Sequence, residues 1–230
     1  MTTRFVSLVP EEFYHVYNRG TDKRTIFVDE VDYKRFTELL FISNSEYLVK
    51  FKDVKRVAKS VFEFDRGKQL VAISAYCLMP NHFHILLTPL VENGISIFMG
   101  KLCTSYSMYF NKRYDRTGSL FQGTFKSQHA SSDEYLKYLF SYIHLNPVKL
   151  IQNDWKEVGV KNVQTTVQYL DMYKYSSFLD FCDVGREEGS ILTPERFPDY
   201  FPTKESFKKE IFDWIAFNPA GYISSQGTPG

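Results

Sequence analysis

This 230-residue sequence predicts an α+β fold, with helices laid on an antiparallel sheet in an arrangement close to a split βαβ. Three observations point there. Runs of strand character and runs of helical periodicity alternate as strand, helix, strand, strand, helix, strand, helix up to about Leu150. The two middle strands, KQLVAISAYCLM and HFHILLTP, are separated only by Pro80-Asn81, a turn signal that pairs them as a hairpin. The length also allows one sizeable core with an appended part, since single domains usually run about 100 to 200 residues.

Each element has its own signal. FYHVYNRG (residues 13–20) alternates in polarity and stops at Gly20, which reads as a strand. VDEVDYKRFTELLFISN carries apolar residues at helical spacing, with Asp29, Glu30 and Asp32 enriching its first turn. After the hairpin, ISIFMGKLCTSYSMYFNKRY reads as a second helix, cationic toward its end. TGSLFQGTFKSQHA, with Gly118 and Gly123, reads as a loop leading into a short strand. Ser131 and Glu134 have the spacing of a capping box for a third helix, and Pro147 restricts Asn146 and ends that helix.

Beyond Leu150 the signals weaken. YKYSSFLDF reads as turn or helix, TKESFKKEIFDWI as a short amphipathic helix and SSQGTPG as a frayed tail. The expected organisation is therefore a first domain over residues 1–150 and a partly helical C-terminal extension over 151–230.

Net charge is only +1, but it is unevenly spread: residues 1–98 carry +1, residues 99–150 carry +4 and residues 151–230 carry −4. A basic middle segment is compatible with phosphate binding and equally with chance clustering on solvated faces. Cys77, Cys103 and Cys182 are widely spaced and form no CxxC pair, so the expectation is a reducing compartment without a disulfide framework or thiolate zinc site. No run approaches the roughly 18 apolar residues of a membrane span, and MTTRFVSLVPEEF lacks a long apolar core. A soluble, cytoplasmic protein with no membrane partner is expected.

The stretch MPNHFHILLTP carries the chemistry. Side chains alternate across a strand, so His82 and His84 share one face while Phe83 takes the other. Two such imidazoles can converge on an ion or stand as a hydrogen-bonded structural pair, and no third ligand is visible locally. The third helix offers one. In YLKYLFSYIHLNP, residues Tyr135, Tyr138, Tyr142 and Asn146 follow at intervals of three, four and four, along one helical stripe. Taken alone, that stripe is also what a core-facing aromatic seam looks like.

The blocks YHVYNRG, MPNHFHILL, GSLFQGTFKS and SYIHLNPVK, in this order, resemble the REP-associated and insertion-sequence single-tyrosine transposases of the HUH (His-hydrophobic-His) class over about residues 13–150. The resemblance implies a ferredoxin-like, RRM-like sheet carrying the two histidines, a divalent metal, and a helix bearing the nucleophilic tyrosine with an amide ligand one turn later. Mapped by motif, the histidine pair falls on His82 and His84, the nucleophile on Tyr142 and the amide on Asn146. The implied activity is cleavage and transfer of single-stranded or hairpin DNA through a 5′-phosphotyrosine. Members occur as dimers and as monomers, so a homodimer is an open expectation.

The chemistry accords with that set. A phenol with pKa near 10 is a weak nucleophile at neutral pH and needs an electrophilic phosphorus held in line. Two imidazoles and an amide leave coordination positions open, and the mixed N/O set suits Mg²⁺ or Mn²⁺. Arg19, Lys112, Arg113, Arg116, Gln122 and Lys126, among interleaved aromatics, are candidate contacts to an unpaired strand. His15 is read as a hydrogen-bond partner beside the histidine strand, His144 as structural or solvent-facing, and His129 as local. Two competing classes remain: a catalytically silent DNA- or RNA-binding module of the same fold, and a hydrolytic metalloenzyme.

Overall fold

The computed structural model describes residues 8–216, so the SSQGTPG tail lies outside the described residues. Four strands form one sheet: β1 (Tyr14–Arg19), β2 (Val71–Met79), β3 (His82–Pro89) and β4 (Lys126–His129). Their order is β2-β3-β1-β4, with every neighbouring pair antiparallel. The helices are α1 (Glu30–Ser43), α2 (Phe51–Val57), α3 (Gly94–Arg113), α4 (Asp133–Leu145), α5 (Trp155–Val158), α6 (Val163–Met172) and α7 (Lys204–Ala216). With α1 joining β1 to β2 and α3 joining β3 to β4, this is the ferredoxin-like split βαβ that the sequence predicts.

Strand alternation divides the interior into two cores. Val16, Phe83, Ile85 and Leu87 face α1 and α3, where Phe36, Phe98, Leu102 and Tyr106 meet them. Leu86, Cys77 and Met79 face the opposite way, toward Leu139 and Ile143 of α4 and toward Trp155, Phe178 and Phe207 of the extension. A register shift between Ile73 and Ala75 lets two residues of like parity serve opposite cores. His82 and His84 share parity with Leu86, so they belong to the α4 face.

Helix starts follow local hydrogen-bond chemistry. Asp29 caps α1, its carboxylate accepting from the backbone N–H groups of Val31 and Asp32. The cap of α4 differs from the expected Ser131–Glu134 box. Ser132 is the cap, accepting from Tyr135 N–H at 3.1 Å, because the helix begins one residue later and Tyr135 occupies the third helical position. Pro147 ends the α-helix as expected, but the chain continues as a 3-10 turn (Asn146–Leu150), which keeps Asn146 in helical backbone geometry.

The extension closes the outer edge of β2. Leu78 N–H donates to Tyr175 O at 2.9 Å, Thr193 N–H to Ile73 O at 2.8 Å, and the Tyr173 hydroxyl to Leu78 O at 2.6 Å. An open strand edge is thereby paired. Arg186 fastens this cover: its guanidinium donates to Asp180, to Lys174 O and to the Tyr76 hydroxyl. YKYSSFLDF resolves into this edge-pairing segment followed by a 3-10 helix (Ser177–Cys182), and TKESFKKEIFDWI forms α7. Among the described residues, no helix is long and apolar enough to cross a membrane.

Candidate active site

β1 and β3 lie side by side, with Tyr17 opposite His84 and Arg19 opposite His82. His15 and His84 are both buried, and His15 Nε2 stands 2.8 Å from His84 Nδ1. His82 Nδ1 is 2.6 Å from Asn81 Oδ1, which makes that nitrogen the donor and leaves Nε2 with the lone pair. The rings of His82 and His84 are 4.9 Å apart and perpendicular.

α4 crosses this face and brings Tyr142 to the histidines. Its ring centroid is 5.7 Å from that of His84 and 6.1 Å from that of His15, edge to face in both cases. One turn on, Asn146 is buried and donates from Nδ2 to Tyr142 O at 2.9 Å. Tyr142 is 5% exposed and lines the cleft that opens between the strands and the helix end. The tyrosine stripe is continuous along α4: Tyr135 and Tyr138 stack 5.8 Å apart, Tyr138 and Tyr142 stand 5.8 Å apart and tilted, and Tyr142 ends the series at the histidines.

The cleft has a volume of about 440 Å³ and is bordered by Arg19, Lys23, Lys126 and Lys149, with no carboxylate among its lining residues. Local geometry explains the placement of two of its polar groups. Gln122 N–H donates to Arg19 O at 2.8 Å, and Arg19 Nε in turn donates to Gln122 Oε1, while Gly123 takes a positive φ of 72° that turns the loop back to β4.

Burial, reinforced by Lys149, Lys156 and Arg19, lowers the His82 imidazole to about 4. Burial, then Lys156, lowers His15 to about 3. His84 lies well below its ordinary value, through burial first and then the neighbouring His15 and His82. All three are neutral at pH 7, the state in which an imidazole lone pair coordinates a cation. The Tyr142 phenol is pushed above its ordinary value by burial and by Tyr138, and a hydrogen bond from the Asn146 side chain acts the other way.

The structure gathers His82, His84, Tyr142, Arg19, Gln122 and Lys126 at one cleft, with Asn146 one turn behind Tyr142. The cations at the end of α3 and just beyond it are elsewhere. Arg113 is committed to Asp29 at 2.6 Å and to the fully buried Asp32 at 2.7 Å, Arg116 to Asn111, and Lys112 is exposed at the end of α3. His144 is structural: it is fully buried, with Nε2 2.8 Å from Ser177 Oγ, because the extension covers that side of α4. His129 is not local, since its Nε2 lies 2.6 Å from Glu12 Oε2, ahead of β1. Lys23, Lys149 and Lys156 were not singled out by sequence. Only Lys149, inside SYIHLNPVK, carried a signal.

A family model described as "Transposase IS200 like" matches residues 13–146. That match covers more than half of the chain and defines its class as a DNA-processing protein of the transposase kind: the chain belongs to the IS200-like transposase family. It is also similar to a solved REP-associated tyrosine transposase bound to a REP hairpin, at 15% identity and TM-score 0.48, over 86% of this chain and 92% of that one. No curated protein matches it.

Proposed function

We propose that this protein is a metal-dependent, single-stranded-DNA transesterase that cuts and joins strands at hairpin or repeat ends through Tyr142. The observation that carries the reading is the contact of Tyr142 with the neutral His84 inside a cationic cleft.

The residues fit a divalent cation. His84 Nε2 and Asn146 Oδ1 are both buried without a hydrogen-bond partner among the described residues, two lone pairs that a cation satisfies. No trio of His, Cys, Asp or Glu is arranged for a metal among the described residues, so a ligand set here would need a group of another kind beside the two histidines. His82, His84 and Asn146 would hold Mg²⁺ or Mn²⁺. Bound there, the ion supplies Lewis-acid polarisation of the scissile phosphate and stabilises the leaving 3′ oxygen.

The protein's own groups do the rest. With a cation on His84 Nε2, His15 Nε2, 2.8 Å from His84 Nδ1, would accept from that N–H and hold the tautomer that leaves the lone pair on Nε2. Arg19, Lys23, Lys126 and Lys149 draw the backbone of an unpaired strand into the cleft. Tyr142 Oη attacks phosphorus in line: the O–P bond forms, the P–O3′ bond breaks, the phenol loses its proton and the 3′ oxygen gains one. The ester is conserved in the phosphotyrosine, so a second 3′ hydroxyl reverses the step and joins strands without ATP.

One observation favours a second reading. At 5% exposure Tyr142 is nearly enclosed, as it would be in a module that binds nucleic acid without cutting it. The two readings separate on a hairpin with a single-stranded flank and Mn²⁺. The transesterase gives a covalent protein–DNA adduct that Tyr142→Phe abolishes; the binding module gives tight binding and intact DNA. Hydrolysis would give cut DNA and no adduct.

A further inference from the structure

Lys156 lies beyond the residues that the family model matches and comes from α5, the one-turn helix of the extension. Its Nζ stands 4.0 Å from the centroid of the Tyr142 ring. Its neighbour Trp155 is 3% exposed in the core that α4 shares with the extension, and this anchors α5 beside the nucleophile's helix.

No salt bridge or hydrogen bond holds the Lys156 ammonium among the described residues. A half-buried ammonium whose contacts are the rings of Tyr142, at 4.0 Å, and Trp155, at 5.9 Å, carries a desolvation penalty that these faces offset only in part. The cleft that Tyr142 lines holds Lys149 and no carboxylate, so an anion that enters it meets an uncompensated positive field to which Lys156 adds. Burial, with Lys149, lowers Lys156 to about 7, against an opposing pull from Glu157. An arriving phosphate reverses that balance and recharges the amine.

We propose that Lys156 is the electrostatic partner of the phosphoryl group that Tyr142 acquires, a function supplied to the site by the C-terminal extension. The proposal rests on Tyr142 being the nucleophile. A lysine on the face of the phenol ring is one side-chain reorientation from an oxygen of the attached phosphate, and the four-carbon stem provides that reach.

The test compares wild type, Lys156→Met, Lys156→Gln and Lys156→Arg in single-turnover adduct formation on a hairpin substrate, with hairpin Kd measured in parallel. The neutral variants are expected to form adduct at least tenfold more slowly, with Kd within twofold of wild type, and Lys156→Arg to recover most of the rate. The decisive arm replaces the scissile phosphate by a neutral methylphosphonate. On that substrate wild type and Lys156→Met are expected to agree within twofold, because the charge that Lys156 serves is gone. Equal rates on the phosphodiester, or a tenfold loss that persists on the methylphosphonate, would overturn the proposal while leaving Tyr142 in place. Absence of adduct with wild type would instead overturn the nucleophile assignment and this proposal with it.

Discussion

His15 Nε2 lies 2.8 Å from His84 Nδ1, joining two buried imidazoles across β1 and β3. His15 is not directly opposite His84 in the register, since Leu86 faces His15 and Tyr17 faces His84, so the bond runs diagonally between strands. One tautomer pair leaves His84 Nε2 with a lone pair and the other leaves it with a buried N–H; a cation at Nε2 selects the first. His15→Phe removes the acceptor and is expected to weaken Mn²⁺ binding about 10- to 100-fold. His15→Gln, which keeps a polar atom near the position of Nε2, is expected to lose less. Calorimetric titration of the three proteins with Mn²⁺ checks the ranking, and equal affinities would remove His15 from the account.

The cleft cations and the α3 cations should separate in salt dependence. Each phosphate contact contributes about 0.7 to the slope of log K against log salt for a single strand. Arg19→Gln and Lys126→Gln are each expected to lower the slope by about that amount in hairpin binding followed by fluorescence anisotropy. Arg113→Gln is expected to leave the slope alone and to lower the stability of the fold, because the fully buried Asp32 loses its ion-pair partner. A slope change with Arg113→Gln would place DNA over α3.

Arg186 is expected to hold the extension onto β2. Its pair with Asp180 is largely buried, at 13% and 7% side-chain exposure, and it also donates to Lys174 O and Ser176 O. Arg186→Met leaves the Asp180 carboxylate unpaired, at an expected loss of about 3 kcal/mol in urea unfolding. An unchanged midpoint would show that the edge strand pairing alone suffices.

Lys156 gives the pH prediction. Its folded value of about 7 lies below the ordinary 10.5, so between these values the unfolded chain binds more protons and stability rises with pH. Lys156→Met is therefore expected to be more stable than wild type at pH 7, by about 2 kcal/mol, with the gap closing toward pH 10. Thermal unfolding across that range reads it directly. A variant that is more stable and slower in chemistry cannot owe its slowness to misfolding.

The sheet, the hairpin at Pro80-Asn81 and the three principal helices were legible because each rests on local rules: strand alternation, helical spacing, turn chemistry. The faces of His82, His84 and Phe83 followed from parity alone. What the sequence could not show was spatial. The cap of α4 moved by one residue because Ser131 and Ser132 are chemically equivalent caps, and only packing chooses between them. Arg113 read as a free cation because its partners, Asp29 and Asp32, are distant in sequence and arrive from α1. α2 and α6 escaped notice because both are short, and α2 buries little beyond Val54. Lys156 gave no signal at all, since its meaning comes from α5 lying against α4.

The most direct test of the central claim uses a hairpin with a single-stranded flank, labelled at its 3′ end, incubated with Mn²⁺ and resolved under denaturing conditions. A 5′-phosphotyrosine leaves the labelled 3′ fragment on the protein and a free 3′ hydroxyl on the other fragment. The account predicts a labelled protein band with wild type, mapping to Tyr142 after proteolysis, and none with Tyr142→Phe. An adduct of equal yield with Tyr142→Phe, or cleavage with no adduct, would contradict it.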